Sequence, residues 1–276
     1  IIQIVKKDRI NLILPCSDEE ALVLTRFRKD LLKLNCDVAS TNYKNIKIFS
    51  NKLKTYAYLK KSNIAVPKYK KILNYNSLIK EAILYKKNDL EFVVKPSVSR
   101  GGRNVFVVSH KNIKTKINNN REMYLSYKNF IKISKNKFEK LFPLILMEKL
   151  YDPIYDLDMF THKGNLINSV LRRRVVPDNP NAGHLVETSK IKFTNIGKKI
   201  AKLFNLNWLY DCDIMIDKNN KPKILEINPR PSGSTSIALS AGIHLLDNVL
   251  EKYKKEKLSI YKIKSNKIIM PDKIIF

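Results

Sequence analysis

The stretch that decides the reading runs Asp211-Cys212-Asp213-Ile214-Met215-Ile216-Asp217-Lys218-Asn219-Asn220-Lys221-Pro222-Lys223-Ile224-Leu225-Glu226-Ile227-Asn228-Pro229-Arg230. Two strand-like runs flank Asn219-Asn220, and asparagine tolerates the positive φ of a tight turn, so the stretch reads as a β-hairpin with a two-residue turn. Centred there, Asp213 faces Glu226 and Asp211 faces Asn228. Side chains alternate along a strand, so these four polar groups share one face, while Cys212, Ile214, Ile216, Leu225 and Ile227 share the other. An aspartate directly opposite a glutamate is repelled unless a cation lies between them. Oxygen donors of this kind suit Mg²⁺, which keeps several waters and shares its shell with phosphates. Pro229 and Pro231 fix the backbone around Arg230, whose guanidinium can hold a phosphate or carboxylate through paired hydrogen bonds. The bland interpretation is an acidic surface on an ordinary hairpin. It sits poorly with a chain holding only 25 acidic residues against 53 basic ones.

Outward from the hairpin, the chain reads as alternating strands and helices. Ile10 to Leu14 is a short buried strand, and Ser17 with Glu20 forms a capping box for a helix from Asp18 to about Leu34. Ser50-Asn51 starts a second helix through Lys61, with Ile64 and Val66 extended before Pro67. Glu91 to Lys95 and Val105 to Val108 make a hairpin around a flexible Ser97 to Arg103 loop that contains Gly101 and Gly102. Residues 110 to 143 are polar, rich in Lys and Asn, and read as an insert with some helix. Leu144 to Glu148 is a strand, and residues 155 to 160 and 165 to 174 pair around Lys163-Gly164. Thr194 to Phe204 is an amphipathic helix with Ile196, Ile200, Leu203 and Phe204 on one stripe. Ser236 to Leu250 is the last helix, followed by a basic tail. His184, beside the Pro177 to Gly183 loop, reads as solvent-exposed rather than catalytic.

The 276 residues suffice for two domains, and 44% hydrophobic with 28% charged residues is ordinary for a folded globular chain. No apolar run approaches a membrane span, and Lys6 to Arg9 interrupt the apolar start without a cleavage site after it, which argues against a signal peptide. Cys16, Cys36 and Cys212 lack metal-ligand spacing, so a reducing cytoplasm is expected. The chain begins with Ile on a strand-like stretch, which we read as loss of the true N-terminus. The net charge of +28 invites a nucleic-acid reading. The lysines are scattered, however, and no short basic run is interleaved with stacking aromatics. The same charge would draw in anionic small molecules.

With these residues in place, Glu226-Ile-Asn-Pro-Arg-Pro-Ser-Gly233 resembles the signature of the ATP-grasp superfamily, in the form seen in carbamoyl phosphate synthetase large chains and biotin carboxylase. The resemblance covers residues 10 to 250. It implies an α/β (α+β) fold whose two lobes clamp ATP, preceded by a partial Rossmann-like pre-ATP-grasp domain. The expected units are residues 1–50, truncated at the start; the ATP-grasp domain at 51–250, with lobes 51–148 and 149–250; and the tail 251–276.

The resemblance also assigns roles. Asp213, Glu226 and Asn228 become Mg²⁺ ligands, with Mn²⁺ an acceptable substitute, and Arg230 contacts phosphate or substrate. Val93-Val-Lys95-Pro with Ser99, Gly101 and Gly102 is similar to the phosphate-covering hairpin; by chemistry alone, backbone N–H groups of such a loop can approach phosphate oxygens. Glu148, Lys149 and Leu150 belong to a segment similar to the hinge strand that reads adenine through its backbone, and Leu225 is a further cofactor-binding residue. Asp156 falls where a ribose-binding Glu is usual, one methylene shorter. Lys52 matches the lysine of an Asp-Lys pair, with Asn51 departing from the pattern. Arg174 is favoured over Arg172 as the phosphate-side base. The implied activity is ADP-forming ligation of a small-molecule carboxylate to an amine through an acyl phosphate, in the cytoplasm, with a homodimer the only assembly envisaged and neither membrane nor nucleic acid as a partner. A nucleotide-binding protein without activity and a basic nucleic-acid binder are the two alternatives.

Overall fold

The computed structural model describes residues 1–99, 102–118, 122–176, 183–188, 191–263 and 266–270. The front unit contains α1 (Ile2–Lys7), β1 (Leu12–Ile13), α2 (Asp18–Arg26), α3 (Arg28–Leu32), β2 (Asp37–Val38) and α4 (Tyr43–Phe49). Strands β1 and β2 pair in parallel, Leu12 with Asp37 and Ile13 with Val38. The capping box is present: the Ser17 hydroxyl accepts from the Glu20 amide, and Glu20 accepts from the Ser17 amide. Two expectations fail here. The strand-like start is a helix, with Val5 its buried residue. The long helix breaks at Phe27, where Arg28 turns inward to donate to Asp37 Oδ1 at 2.9 Å and to the carbonyls of Val38, Ser40 and Thr41. One side chain thus satisfies a run of backbone acceptors that a continuous helix would have left without it.

The first lobe holds α5 (Lys52–Lys61), β3 (Tyr69–Ile72), α6 (Tyr75–Lys87), β4 (Phe92–Pro96), β5 (Val105–Ser109), β6 (Lys116–Asn118), β7 (Glu122–Ser126), α7 (Tyr127–Phe130), α8 (Lys135–Glu139) and β8 (Leu144–Glu148). Its sheet runs β3-β8-β4-β5-β7-β6. The 110–143 insert therefore supplies two strands as well as helix, β7 lying parallel to β5. One face of the sheet buries Phe92, Phe106, Phe130 and Phe138 as a cluster of edge-on and tilted rings. The other face lines the interlobe cleft with Val93, Lys95, Val105, Val107, Glu122, Tyr124 and Met147. The period-two alternation of a sheet with one packed side places them there.

The second lobe contains β9 (Tyr151–His162), β10 (Asn165–Arg174), β11 (His184–Glu187), α9 (Ile191–Leu203), β12 (Trp208–Ile216), β13 (Pro222–Asn228), α10 (Ser236–Ser240), α11 (Leu245–Lys254) and β14 (Lys267–Ile269). Its antiparallel sheet runs β13-β12-β9-β10-β11-β14. Helix α9 packs through Phe193, Gly197, Ile200 and Ala201, whereas Leu203, expected on that stripe, is exposed. The final helix is divided, because Gly242 sits at φ +85°, a conformation other residues resist. The segment read as a basic tail is partly built into the lobe: α11 continues to Lys254 and β14 adds a strand beside β11.

Candidate nucleotide site

The β12–β13 hairpin has the expected register at its functional end, with Asp211 opposite Asn228 and Asp213 opposite Glu226. Its turn differs. The Asp217 amide donates to Lys221 O at 2.9 Å, and Asn220 takes φ +58°, so three residues rather than two make the loop. Asp217 Oδ1 locks that loop by accepting from the Asn219 and Lys221 amides. The extra residue displaces the register by one through Ile214, and a bulge at Leu225 restores it. Ile224 consequently enters the core in Leu225's stead, while Leu225 lines the cleft, contrary to its expected place on the apolar face.

A second bulge matters equally. Between Leu166 and Asn168 the β9–β10 register steps by one, which sets Asp156 opposite Arg172. Without that step the arginines at 172 and 174 and the aspartates at 156 and 158 would project to opposite faces. Strand β12 then brings Asp211 beside Asp158 and Asp213 beside Asp156. Four aspartates thus form a square on one sheet face, with Glu226 and Asn228 on one side and Arg172 and Arg174 on the other.

Three corners of the square, Asp156, Asp211 and Asp213, line an interlobe cleft of about 870 Å³, within the range of ligand pockets, while Asp158 lies behind them against Arg172. Arg174 holds both Asp156 oxygens at 2.7 and 3.1 Å. Arg172 grips Asp158 at 2.6 and 3.1 Å and reaches the hydroxyls of Ser232 and Ser234 at 2.9 and 2.8 Å. Asn228 donates to Asp211 Oδ2 at 3.2 Å. The buried Asp211 Oδ1 has no hydrogen-bond partner among the described residues. Burial pushes the Asp211 carboxyl up to about 8, with Asp158 and Asp156 adding repulsion. Asp213 is driven well above the usual carboxylate range by burial, then by Asp211 and Glu226. For Asp156 and Glu226 burial acts in the same sense, but Arg174 outweighs it in the first case and Lys52 with Lys95 in the second, leaving both lowered. Such crowding is what a bound cation would relieve. Asp156, Asp211 and Asp213 each offer an oxygen within 4.8 Å of the others, so the residues present fit a hard divalent ion.

The remaining expected residues converge on the same cleft. Lys52 bridges the lobes, 3.0 Å from Glu226 Oε2 and 2.8 Å from the Ser99 carbonyl. Lys95 is buried, and desolvation lowers its affinity for a proton against the pull of Glu226. Gly102 takes φ +72°, and a Cβ there would meet the Glu122 side chain at 2.9 Å. Gly101 lies outside the described residues, as does most of the Pro177 to Gly183 loop. Lys149 and Leu150 line the cleft, whereas the Glu148 carboxylate turns away to accept from the Lys68 amide at 2.8 Å. Asp156 stands among the acidic residues with both oxygens held by Arg174, a setting ill suited to ribose. Arg230 is 3.4 Å from Asp18, so the start of α2 packs against a residue that lines the cleft. His184 is a correction: it is fully buried in β11, 3.2 Å from Arg172. Sequence reasoning passed over Asp158, Tyr56, Ser232 and Ser234. The spacing of Asp156-Asp158 against Arg172-Arg174 was the available signal, but the bulge that brings the pairs together has no such mark.

Two lobes with facing sheets, a glycine-containing hairpin over the cleft and an acidic hairpin beneath define the ATP-grasp fold, and that is the fold of this chain. Residues 140–270, a little under half of it, match the model of a family described as ATP-grasp in the biosynthetic pathway with Ter operon. By structure it is similar to the Campylobacter jejuni biotin carboxylase solved as a β,γ-ATP complex, with a TM-score of 0.75 and 14% identity over 97% of this chain and 60% of that one. It is also similar to the biotin carboxylase domain of Hydrogenobacter thermophilus 2-oxoglutarate carboxylase, solved with MgADP, ADP and bicarbonate, at 0.72 and 14% over 95% and 57%. The Coxiella burnetii D-alanine–D-alanine ligase gives 0.61 and 15% over 87% and 68%. The chain thus spans less than two thirds of either carboxylase chain. No curated protein matches it by sequence. No helix among the described residues is long and apolar enough to cross a membrane.

Proposed function

We propose that this protein is an ATP- and Mg²⁺-dependent, ADP-forming ligase that joins a small carboxylic acid to an amine. Residues 51–250 would form its clamp, with β14 completing the second lobe. The observation that carries the reading is the square of four aspartates with an unpartnered buried oxygen, facing Lys95 and Lys52 across a cleft of nucleotide size. Bound there, Mg²⁺ would neutralise phosphate oxygens. Asp213, Glu226 and Asn228, with Asp211 and Asp156 close by, would hold it. Met147, Val93, Val107, Leu150, Met215 and Leu225 give the cleft an apolar portion for a flat base. Lys95, Arg174 and Arg230 would position the phosphates and screen their charge. A carboxylate oxygen held near Arg230 would attack the γ-phosphorus and expel ADP. The amine would then attack the acyl carbon, expel phosphate and lose its proton to solvent. Alignment and charge screening carry the rate, and no side-chain nucleophile is required.

Calorimetry of ATP binding with and without Mg²⁺ tests this reading. Micromolar binding that requires Mg²⁺ is expected. At pH 7 Asp211, held up to about 8, carries a proton in the metal-free protein. Cation binding competes with that proton, so affinity should rise as pH rises through 8. Titrations in buffers of different ionisation enthalpy should show protons released from Asp211 and Asp213 at pH 7 and fewer at pH 9. A folded protein that binds no ATP would refute the ligase. Binding without ADP release, across a screen of acids and amines, would leave a nucleotide-binding protein.

A further inference from the structure

We infer that Tyr56 is a positioning residue of the nucleotide site, its single hydroxyl fixing both the Lys95 ammonium and the Leu225 bulge that sets the register of the acidic hairpin. The inference rests on the nucleotide reading above. Tyr56 lies one turn after Lys52 on α5, and the two residues reach across the cleft in parallel. Lys52 joins the Ser99 carbonyl of the first lobe to Glu226 of the second. The Tyr56 hydroxyl does the same one step deeper, donating to the Leu225 carbonyl at 2.9 Å and accepting from Lys95 Nζ at 3.3 Å. A phenol has one proton. Giving it to Leu225 leaves the oxygen lone pairs for the ammonium, so the two bonds specify one another.

Both partners need what the hydroxyl supplies. A bulge breaks the regular ladder, and Leu225 lies on β13, the edge strand of its sheet. The neighbouring Ile224 amide is tied to the Ala65 carbonyl at 3.0 Å, so α5 and the segment after it staple both sides of the bulge. Slippage of the bulge by one residue would turn Glu226 and Asn228 away from the aspartates. Lys95, for its part, is buried and loses hydration, and the hydroxyl holds it in place among the cleft residues. The Tyr56 ring is fully buried against Tyr69, with ring centroids 5.2 Å apart. A phenylalanine would fill that space equally well, so packing alone does not account for the oxygen.

The test is Tyr56→Phe, titrated with ATP, ADP and AMP in Mg²⁺ and compared with wild type. Loss of one hydrogen bond to a charged group should weaken ATP and ADP by about 5- to 10-fold while AMP changes by less than about twofold. In a Lys95→Met background the same substitution should cost clearly less ATP affinity than it does in wild type, the remainder being the part that acts through the Leu225 bulge. Equal weakening of all three nucleotides, no weakening, or a full additional loss on top of Lys95→Met would each overturn the inference. Failure of the wild type to bind any nucleotide is a separate result. It would remove the nucleotide reading, and this inference with it, before a variant is made.

Discussion

Asp213→Asn is expected to lower the affinity for Mg²⁺-nucleotide by about 100-fold, the upper end of the losses seen on disturbing a metal's surroundings, and at the same time to raise the melting temperature of the ligand-free protein. The two effects have one cause. Asp213 is crowded by Asp211, Glu226 and Asp156, and burial removes the water that would screen them. Without a cation it is therefore driven to keep its proton and share it with Glu226. Asparagine reproduces that neutral donor permanently and cannot become the charged ligand. Each kcal/mol of repulsion relieved raises the melting temperature by about 2–4 °C in a chain of this size. The sign of the pH dependence follows. Asp211 has a folded pKa raised to about 8 from the ordinary 3.8, so its stabilising contribution is complete below pH 4 and is lost as pH rises through 8. The ligand-free wild type should therefore melt lower at pH 8 than at pH 6, and Asp213→Asn should gain more at pH 8. Thermal melts at both pH values, with and without Mg²⁺, check both halves. A variant that melts no higher than wild type, or that keeps its Mg²⁺ response, would show that the square is not a cation site.

How far the sequence reaches into this site depends on the register of its strands. The alternation of Asp211, Asp213, Glu226 and Asn228 is visible because one hairpin carries all four. That reading succeeded through two compensating departures: the turn is one residue longer than Asn219-Asn220 implies, and the bulge at Leu225 takes the residue back. Parity at the functional end is the same either way, so the error stayed local and misplaced only Ile224 and Leu225. In β9 and β10 nothing compensates. A regular hairpin around Lys163-Gly164 puts Asp156 and Arg172 on opposite faces, and only the step between Leu166 and Asn168 unites them. Nothing in Asn165-Leu-Ile-Asn168 announces it. Local signals fared well where a side chain acts on its own backbone, as with the Ser17 capping box. They failed where a distant partner decides, as with the helix broken so that Arg28 can bond to the β2 segment, or His184 enclosed by strands far from it in sequence.

Arg172→Ala should cost about 3–5 kcal/mol of folding stability, the largest loss expected of any single substitution in the site. Arg172 is fully buried, and Asp158 nearly so. Truncating the arginine leaves that carboxylate in a dry interior without its counter-ion, and strips the hydroxyls of Ser232 and Ser234 of their donor. Arg172→Lys should recover only part of the loss, since an ammonium cannot present the fork that reaches Asp158 and both serines together. Replacing the pair as a unit, Arg172→Met with Asp158→Leu, should restore most of the stability, because no buried charge is then left alone. Denaturant melts of the four proteins measure this. A double variant as unstable as Arg172→Ala would mean that the arginine stabilises the fold by something other than its pairing. If stability returns, the double variant isolates what the ion pair does beyond folding. The loop carrying Ser232 and Ser234 follows directly on Arg230 and lines the cleft, and it would have lost its anchor to the sheet. A costly buried pair is retained where it fixes a geometry that an apolar pair would leave free. The geometry at stake here is the placement of Arg230 and its loop over the four aspartates.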